Sequence, residues 1–166
     1  MKYTSAEAAK LLKKLNEDLE AVAIQEENSK SFLAAMGEDV EELRPEYDFT
    51  KTQSAIKELH VKIRKVKHSI NVFNSVTIVP DFNMTIDEML IYIPQLSSLK
   101  QKLAGMKGTP KMAREYSRLH NIIDYRYANY DISEADEEYR QISDLLAKAQ
   151  ISLDVVNNTK TFEIEF

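Results

Sequence analysis

Between Lys51 and Asn74 the chain reads KTQSAIKELHVKIRKVKHSINVFN, and this stretch decides the fold class. Its apolar residues Ile56, Leu59, Ile63, Val66, Ile70 and Phe73 are spaced 3, 4, 3, 4, 3. That is an unbroken a/d heptad seam, narrower than the apolar face of an ordinary amphipathic helix. As a helix it would extend about 36 Å. Alone it would hold one apolar stripe in water, so it demands helical partners in the same chain or in another copy.

Toward the N-terminus, Thr4-x-x-Glu7 is a capping box, in which each side chain satisfies the other residue's exposed backbone N–H. Ala8, Leu12, Leu15, Leu19 and Val22 follow at heptad spacing; Glu26 and Ser29 interrupt the seam before Phe32, Leu33 and Met36, and Gly37 is expected to cap a helix over 5–36. Residues 37–49 are acidic and contain Pro45, which predicts a solvated loop. Thr50-x-x-Gln53 is expected to cap the 51–74 helix. Asn71 and Asn74 are expected to end it, because Asn tolerates the left-handed conformation of a helix terminus.

Toward the C-terminus, Ser75–Pro80 is β-branched and reads as a short strand. Thr85-x-x-Glu88 opens a helix over 86–106, with Ile86, Met89, Ile93, Leu96, Leu99 and Leu103 on its seam. Pro94 predicts a kink, since it removes the hydrogen bond to Leu90. Gly105, Gly108 and Pro110 mark a turn. A strand within 121–130 is expected to place Ile123, Tyr125 and Tyr127 on one packed face. Ser133 opens a last helix, with Ala135, Tyr139, Ile142, Leu146, Ala149, Leu153 and Val156 spaced 4, 3, 4, 3, 4, 3. Asn157 and Asn158 should end it. Phe162, Ile164 and Phe166 then alternate as a strand over 160–166, expected to dock on a neighbouring subunit.

Moved by 83 positions, the 51–74 helix lands on this last one. Ile56 meets Tyr139, Leu59 meets Ile142, Phe73 meets Val156 and Asn74 meets Asn157. The two capping boxes correspond at an offset of 81. The expected fold is mainly α, with four long antiparallel helices in a coiled-coil-like bundle and a few short β-strands. A single domain spans 1–166, with an internal pseudo-twofold repeat of halves 1–83 and 84–166.

Composition narrows the function. The chain has 166 residues, 30% charged and 43% hydrophobic, with 3 Gly, 4 Pro and no Cys. Thiolate metal sites and cysteine nucleophiles are therefore excluded. The N-terminal residues lack the apolar core of a signal peptide, and the run from Met89 to Ile93 is too short to cross a bilayer, so a cytoplasmic protein with no membrane span is expected. A net charge of −5 argues against general nucleic-acid binding unless positive charge is concentrated locally.

The sequence Ile70-Asn71-Val72-Phe73-Asn74-Ser75-Val76-Thr77, followed by Met84-Thr85-Ile86-Asp87-Glu88-Met89-Leu90, resembles a family of small bacterial proteins called septicolysin-like. The shared pattern is I-N-x-x-N-x-x-T at a helix end, then a turn and a Thr-led helix. Tyr130-Asp131-Ile132-Ser133 and the tail around Asn157 extend the likeness over most of 50–160. The acidic loop matches less clearly, and a Trp expected near Asn157 is missing. The resemblance implies no catalytic residues. Its haemolysin-like name implies secretion, for which the N-terminus carries no signal.

Asn71, Asn74, Thr77 and Asn157 form the candidate ligand or interface set. Against that stands their use as helix caps. Lys62, Arg64, Lys65 and Lys67, with Lys57 and His68, are the candidate polyanion-binding residues. The competing use is ion pairing with Glu134, Asp136, Glu137, Glu138 and Asp144 or with the acidic loop. Tyr125, Tyr127 and Tyr130 beside Arg126 could stack on bases. No metal-ligand spacing surrounds His60, His68 or His120, and no cofactor motif is present. A Ser117, His120 and Asp124 triad lacks a nucleophile elbow and an oxyanion turn. The sequence therefore points first to a cytoplasmic, non-enzymatic structural or interaction protein acting as a homo-oligomer. A nucleic-acid-associated module on the basic 51–74 helix is the alternative, and an enzyme with a site near Asn71 and Asn74 comes third.

Overall fold

The computed structural model describes residues 1–116 and 123–166. Ser117, His120 and positions 121–122 of the expected strand lie outside the described residues. In chain order the elements are β1 (Lys2–Thr4), α1 (Ser5–Ser29), α2 (Val40–Leu43), α3 (Phe49–Val76), β2 (Ile78–Val79) and β3 (Met84–Thr85). Then follow α4 (Ile86–Lys107), β4 (Met112–Tyr116), β5 (Ile123–Tyr127), α5 (Ile132–Thr159) and β6 (Thr161–Glu163). The protein is mainly helical, with short antiparallel strand pairs. It divides into two compact units, residues 1–74 with 157–166, and residues 75–156.

In the first unit the heptad seams meet. Ala8 and Leu15 of α1 pack with Ile63 and Val66 of α3 and with Ile164, flanked by Leu12, Leu19, Leu59 and Ile70. Beyond this core, Tyr47 Oη and Gln53 Nε2 both donate to Glu26 Oε1, at 2.8 and 2.7 Å. The end of α1 therefore lies beside the start of α3, and the two helices run antiparallel. Strand β1, which sequence periodicity passes over, pairs antiparallel with β6, Tyr3 opposite Phe162. Phe162 stacks on Phe73 with ring centroids 4.5 Å apart. The tail expected to reach a neighbouring subunit is thus docked on its own chain.

In the second unit β2 pairs antiparallel with β3, Val79 opposite Met84. Thr85 caps α4 by accepting from the Glu88 N–H at 3.1 Å, while Glu88 accepts from the Thr85 N–H at 2.7 Å. The Thr85 N–H, and then the Thr85 hydroxyl donating at 2.9 Å, hold the Glu88 carboxyl below its ordinary range. Ile86, Met89, Leu96 and Leu103 of α4 are buried, as are Ala135, Ile142, Leu146, Ala149, Leu153 and Val156 of α5. These are the seam positions read from the sequence; Leu99, expected among them, is exposed. Lys107 near the end of α4 contacts Asp136 near the start of α5 at 3.2 Å, so this pair is antiparallel too. Arg140 and then Lys107 lower the pKa of Asp136. The Lys107 ammonium also lies over the Tyr139 ring, 3.9 Å from its centroid.

Several boundaries move from their expected places, each for a local reason. Helix α1 stops at Ser29 rather than residue 36. Its last turn carries Glu26 and Glu27 and no basic residue, so carboxylates face the negative end of the helix dipole. Leu33 and Met36 are exposed, and Gly37 uses a φ of +96° in the loop instead of capping the helix. That loop also holds α2, capped by Asp39. Asp48, not Thr50, caps α3, accepting from the Lys51 N–H at 2.9 Å. At its other end α3 continues to Val76, so Asn71 and Asn74 lie inside the helix. Likewise Asn157 lies inside α5, which Asp131 rather than Ser133 caps by accepting from the Ser133 N–H at 2.7 Å. Among the described residues the non-glycine with positive φ is Asn83, at 50°. Pro80 limits β2 to two residues, since it has no N–H for a ladder.

Candidate interaction surface

Strands β4 and β5 form a separate antiparallel pair, with Met112 opposite Tyr127, Ala113 opposite Arg126, Arg114 opposite Tyr125 and Glu115 opposite Asp124. Cross-strand partners share a face. One face therefore carries Met112, Arg114, Ile123, Tyr125 and Tyr127, and the other Ala113, Glu115, Asp124 and Arg126. Every β5 residue is exposed; Tyr127 is 65% accessible and Tyr125 47%. The packed aromatic face expected here is instead open. Tyr130 lies beyond the strand and donates its hydroxyl to the Met106 carbonyl at 2.7 Å. Arg126 is ion-paired with Glu115, which lowers the pKa of that carboxyl. Strand β4 escaped the sequence reading because Met112-Ala-Arg-Glu-Tyr116 is short and charged. Its alternation of large and small or charged residues after Gly108 and Pro110 was the available signal.

The basic residues of α3 are exposed: Lys57, Lys62, Arg64, Lys65, Lys67 and His68 all face solvent. Lys57, Lys62 and Lys65 line an open groove of about 360 Å³ with Glu58, Val61 and Phe166. Arg64 and Lys67 stand outside that lining. Two of the acidic residues expected to pair with them are engaged within their own units. Asp136 is bound by Lys107 and Arg140, and Glu41 of the loop pairs with Arg44 at 2.7 Å.

The polar set is distributed. Asn71, Asn74 and Asn157 belong to the first unit and Thr77 to the second. Asn71 is exposed; Asn74 and Asn157 are half-buried, and the Oδ1 of each is buried with no hydrogen-bond partner. The Thr77 carbonyl accepts from the Ile86 N–H at 2.9 Å, which ties β2 to the start of α4. Among the described residues no group of three or more His, Asp or Glu is placed to hold a metal ion. No described helix is long and apolar enough to cross a membrane.

No protein-family model and no curated protein sequence matches the chain. Among solved structures it is similar to the crystal structure of a functionally unknown conserved protein from Corynebacterium diphtheriae. The TM-score is 0.62 and the identity 14%, over 98% of this chain and 100% of that one. Identity that low speaks for the shared fold alone.

Proposed function

We propose that the protein is a cytoplasmic, non-enzymatic interaction protein that works as a homo-oligomer. The observation that carries this reading is the β4–β5 pair, on which Met112, Ile123, Tyr125 and Tyr127 are exposed. An isolated two-stranded pair is marginal in water, and an apolar face of this kind marks a contact surface. Light scattering on the intact chain at micromolar concentration should give at least a dimer mass. A monomer mass across that range would overturn the reading.

Within the chain, an internal repeat with coiled-coil-like helix pairs is supported by matching local chemistry. The capping boxes Thr4/Glu7 and Thr85/Glu88 both form. The strand pairs also correspond: Thr4 faces Thr161 and Thr85 faces Ile78, at the offsets of 81 and 83 seen in the helices. In each pair the strand entering one half's first helix is joined to the strand leaving the other half's second helix. The septicolysin-like resemblance rests on the Asn71, Asn74 and Thr77 pattern and supports no enzymatic role.

A second reading, polyanion binding, is favoured by the groove that gathers Lys57, Lys62 and Lys65. If it operates, oligonucleotide affinity falls steeply with salt, and charge reversal at Lys62 and Lys65 abolishes it. No binding to single strands or duplex at low salt removes it.

A further inference from the structure

This inference rests on the self-association reading and specifies its surface. The Ala128 N–H donates to the Lys111 carbonyl at 3.1 Å. These residues continue the β4–β5 register by one step, so this is a position at which the strands exchange bonds. Such positions alternate along an antiparallel ladder with ones whose N–H and C=O point away from the partner strand. Along β5 the inward groups therefore belong to Asp124 and Arg126. The outward ones belong to Ile123, Tyr125 and Tyr127. Among the described residues no third strand joins this sheet.

We propose that β5 pairs antiparallel with β5 of a second copy, about a twofold axis through Tyr125. In that register Tyr125 faces its own counterpart and Ile123 faces the partner's Tyr127. Each of these positions supplies outward backbone groups that can exchange both ladder bonds. Met112, Ile123, Tyr125 and Tyr127 of both copies then form one continuous apolar strip. On the opposite face Asp124 meets the partner's Arg126, and Arg126 the partner's Asp124. These are non-hydrogen-bonded positions, where Cα atoms approach to about 4.5 Å and side chains are closest.

Charge selects this edge and this occupant. Within one copy Asp124 stands directly opposite Glu115, and like charges so placed repel. Arg126 already offsets Glu115; an arginine from a second copy would offset Asp124. The outer edge of β4 has no such match. Paired with itself about Arg114, it would set arginine against arginine and Ala113 against Glu115. Joining β4 to β5 head-to-tail would leave edges open and propagate without closing.

The test uses two full-length charge variants. Asp124→Arg sets arginine against Arg126 at both contacts, yet it relieves the repulsion with Glu115, so the β4–β5 pair itself is not weakened. Arg126→Asp sets acid against acid; because it also breaks the ion pair with Glu115, it is made together with Glu115→Arg, which puts an arginine opposite Asp124 and keeps the β4–β5 pair charge-matched. Each variant alone should dimerise at least about tenfold more weakly than the parent chain. Mixed in equal amounts they should form a heterodimer of near-parental affinity, because one strand then carries two positive charges and the other two negative ones. Tyr125→Pro, which deletes an outward N–H and no inward one, should also abolish pairing. An unchanged dissociation constant for Asp124→Arg, or a mixture that fails to associate, overturns this register while leaving self-association standing. A monomeric parent chain overturns the self-association reading. A single-stranded oligonucleotide bound through Tyr125 and Tyr127 in place of a second copy overturns the choice of occupant.

Discussion

Ile164→Ala is expected to cost the first unit about 3 kcal/mol, and deleting residues 161–166 should cost more. Ile164 is 1% accessible and sits in the cluster with Ala8, Leu15, Ile63 and Val66, drawing both long helices of the unit onto one side chain. Its truncation removes apolar contacts and leaves a cavity that two seam-packed helices cannot readily close. The backbone is held as well. The Ile164 N–H donates to the Met1 carbonyl at 3.0 Å, and the Met1 amino group donates to the Ile164 carbonyl at 3.3 Å. Deletion further removes the partner strand of β1 and the ring stacked on Phe73. Urea unfolding followed by far-UV circular dichroism should show a lower midpoint with little change in slope for Ile164→Ala. Helix content should fall on deletion. Loss of assembly with an unchanged unfolding midpoint would instead place the tail on a neighbour.

What the sequence made legible follows from which signals are periodic. Heptad spacing located all four long helices, because a seam sustained over several turns has few competing explanations; Ile142, Leu146, Ala149, Leu153 and Val156 are buried where spacing placed them. Capping boxes located two starts to the residue, since Thr4 and Thr85 act through neighbours at fixed separation. Ends were less legible. Asn74 and Asn157 look like terminators, yet each helix runs on past them. Tertiary surroundings, invisible in one sequence, decide whether an Asn stops a helix or is carried within it. Strands were least legible. Lys2–Thr4 is too short for alternation to register, and its pairing with Thr161–Glu163 spans nearly the whole chain. The open β4–β5 surface could not be seen either, because the alternation in Ile123-Asp-Tyr-Arg-Tyr127 reads as a packed face. Exposure belongs to the fold rather than to the pattern.

Asn74→Leu and Asn157→Leu should each stabilise the protein, by about 1 to 2 kcal/mol. Both residues lie inside helices, one position after the last seam residue, Phe73 in α3 and Val156 in α5. In each, Oδ1 is buried without a hydrogen-bond partner. A carbonyl taken out of water and given nothing in return destabilises the fold. Leucine has nearly the same reach, no polar atom, and a better helix propensity. Were these residues serving as left-handed caps, the same changes would destabilise, since leucine is poorly suited to that conformation. The helical placement of both asparagines argues against that use. A raised urea midpoint for both variants would mean that asparagine is kept at these places at a cost to stability, which is the signature of a contact made outside the folded chain. Measuring dimer affinity on the same two variants then asks whether that contact is a second copy. An unchanged dissociation constant alongside increased stability would direct attention to a small polar ligand at Asn74 and Asn157. A lowered midpoint would return both asparagines to a structural role.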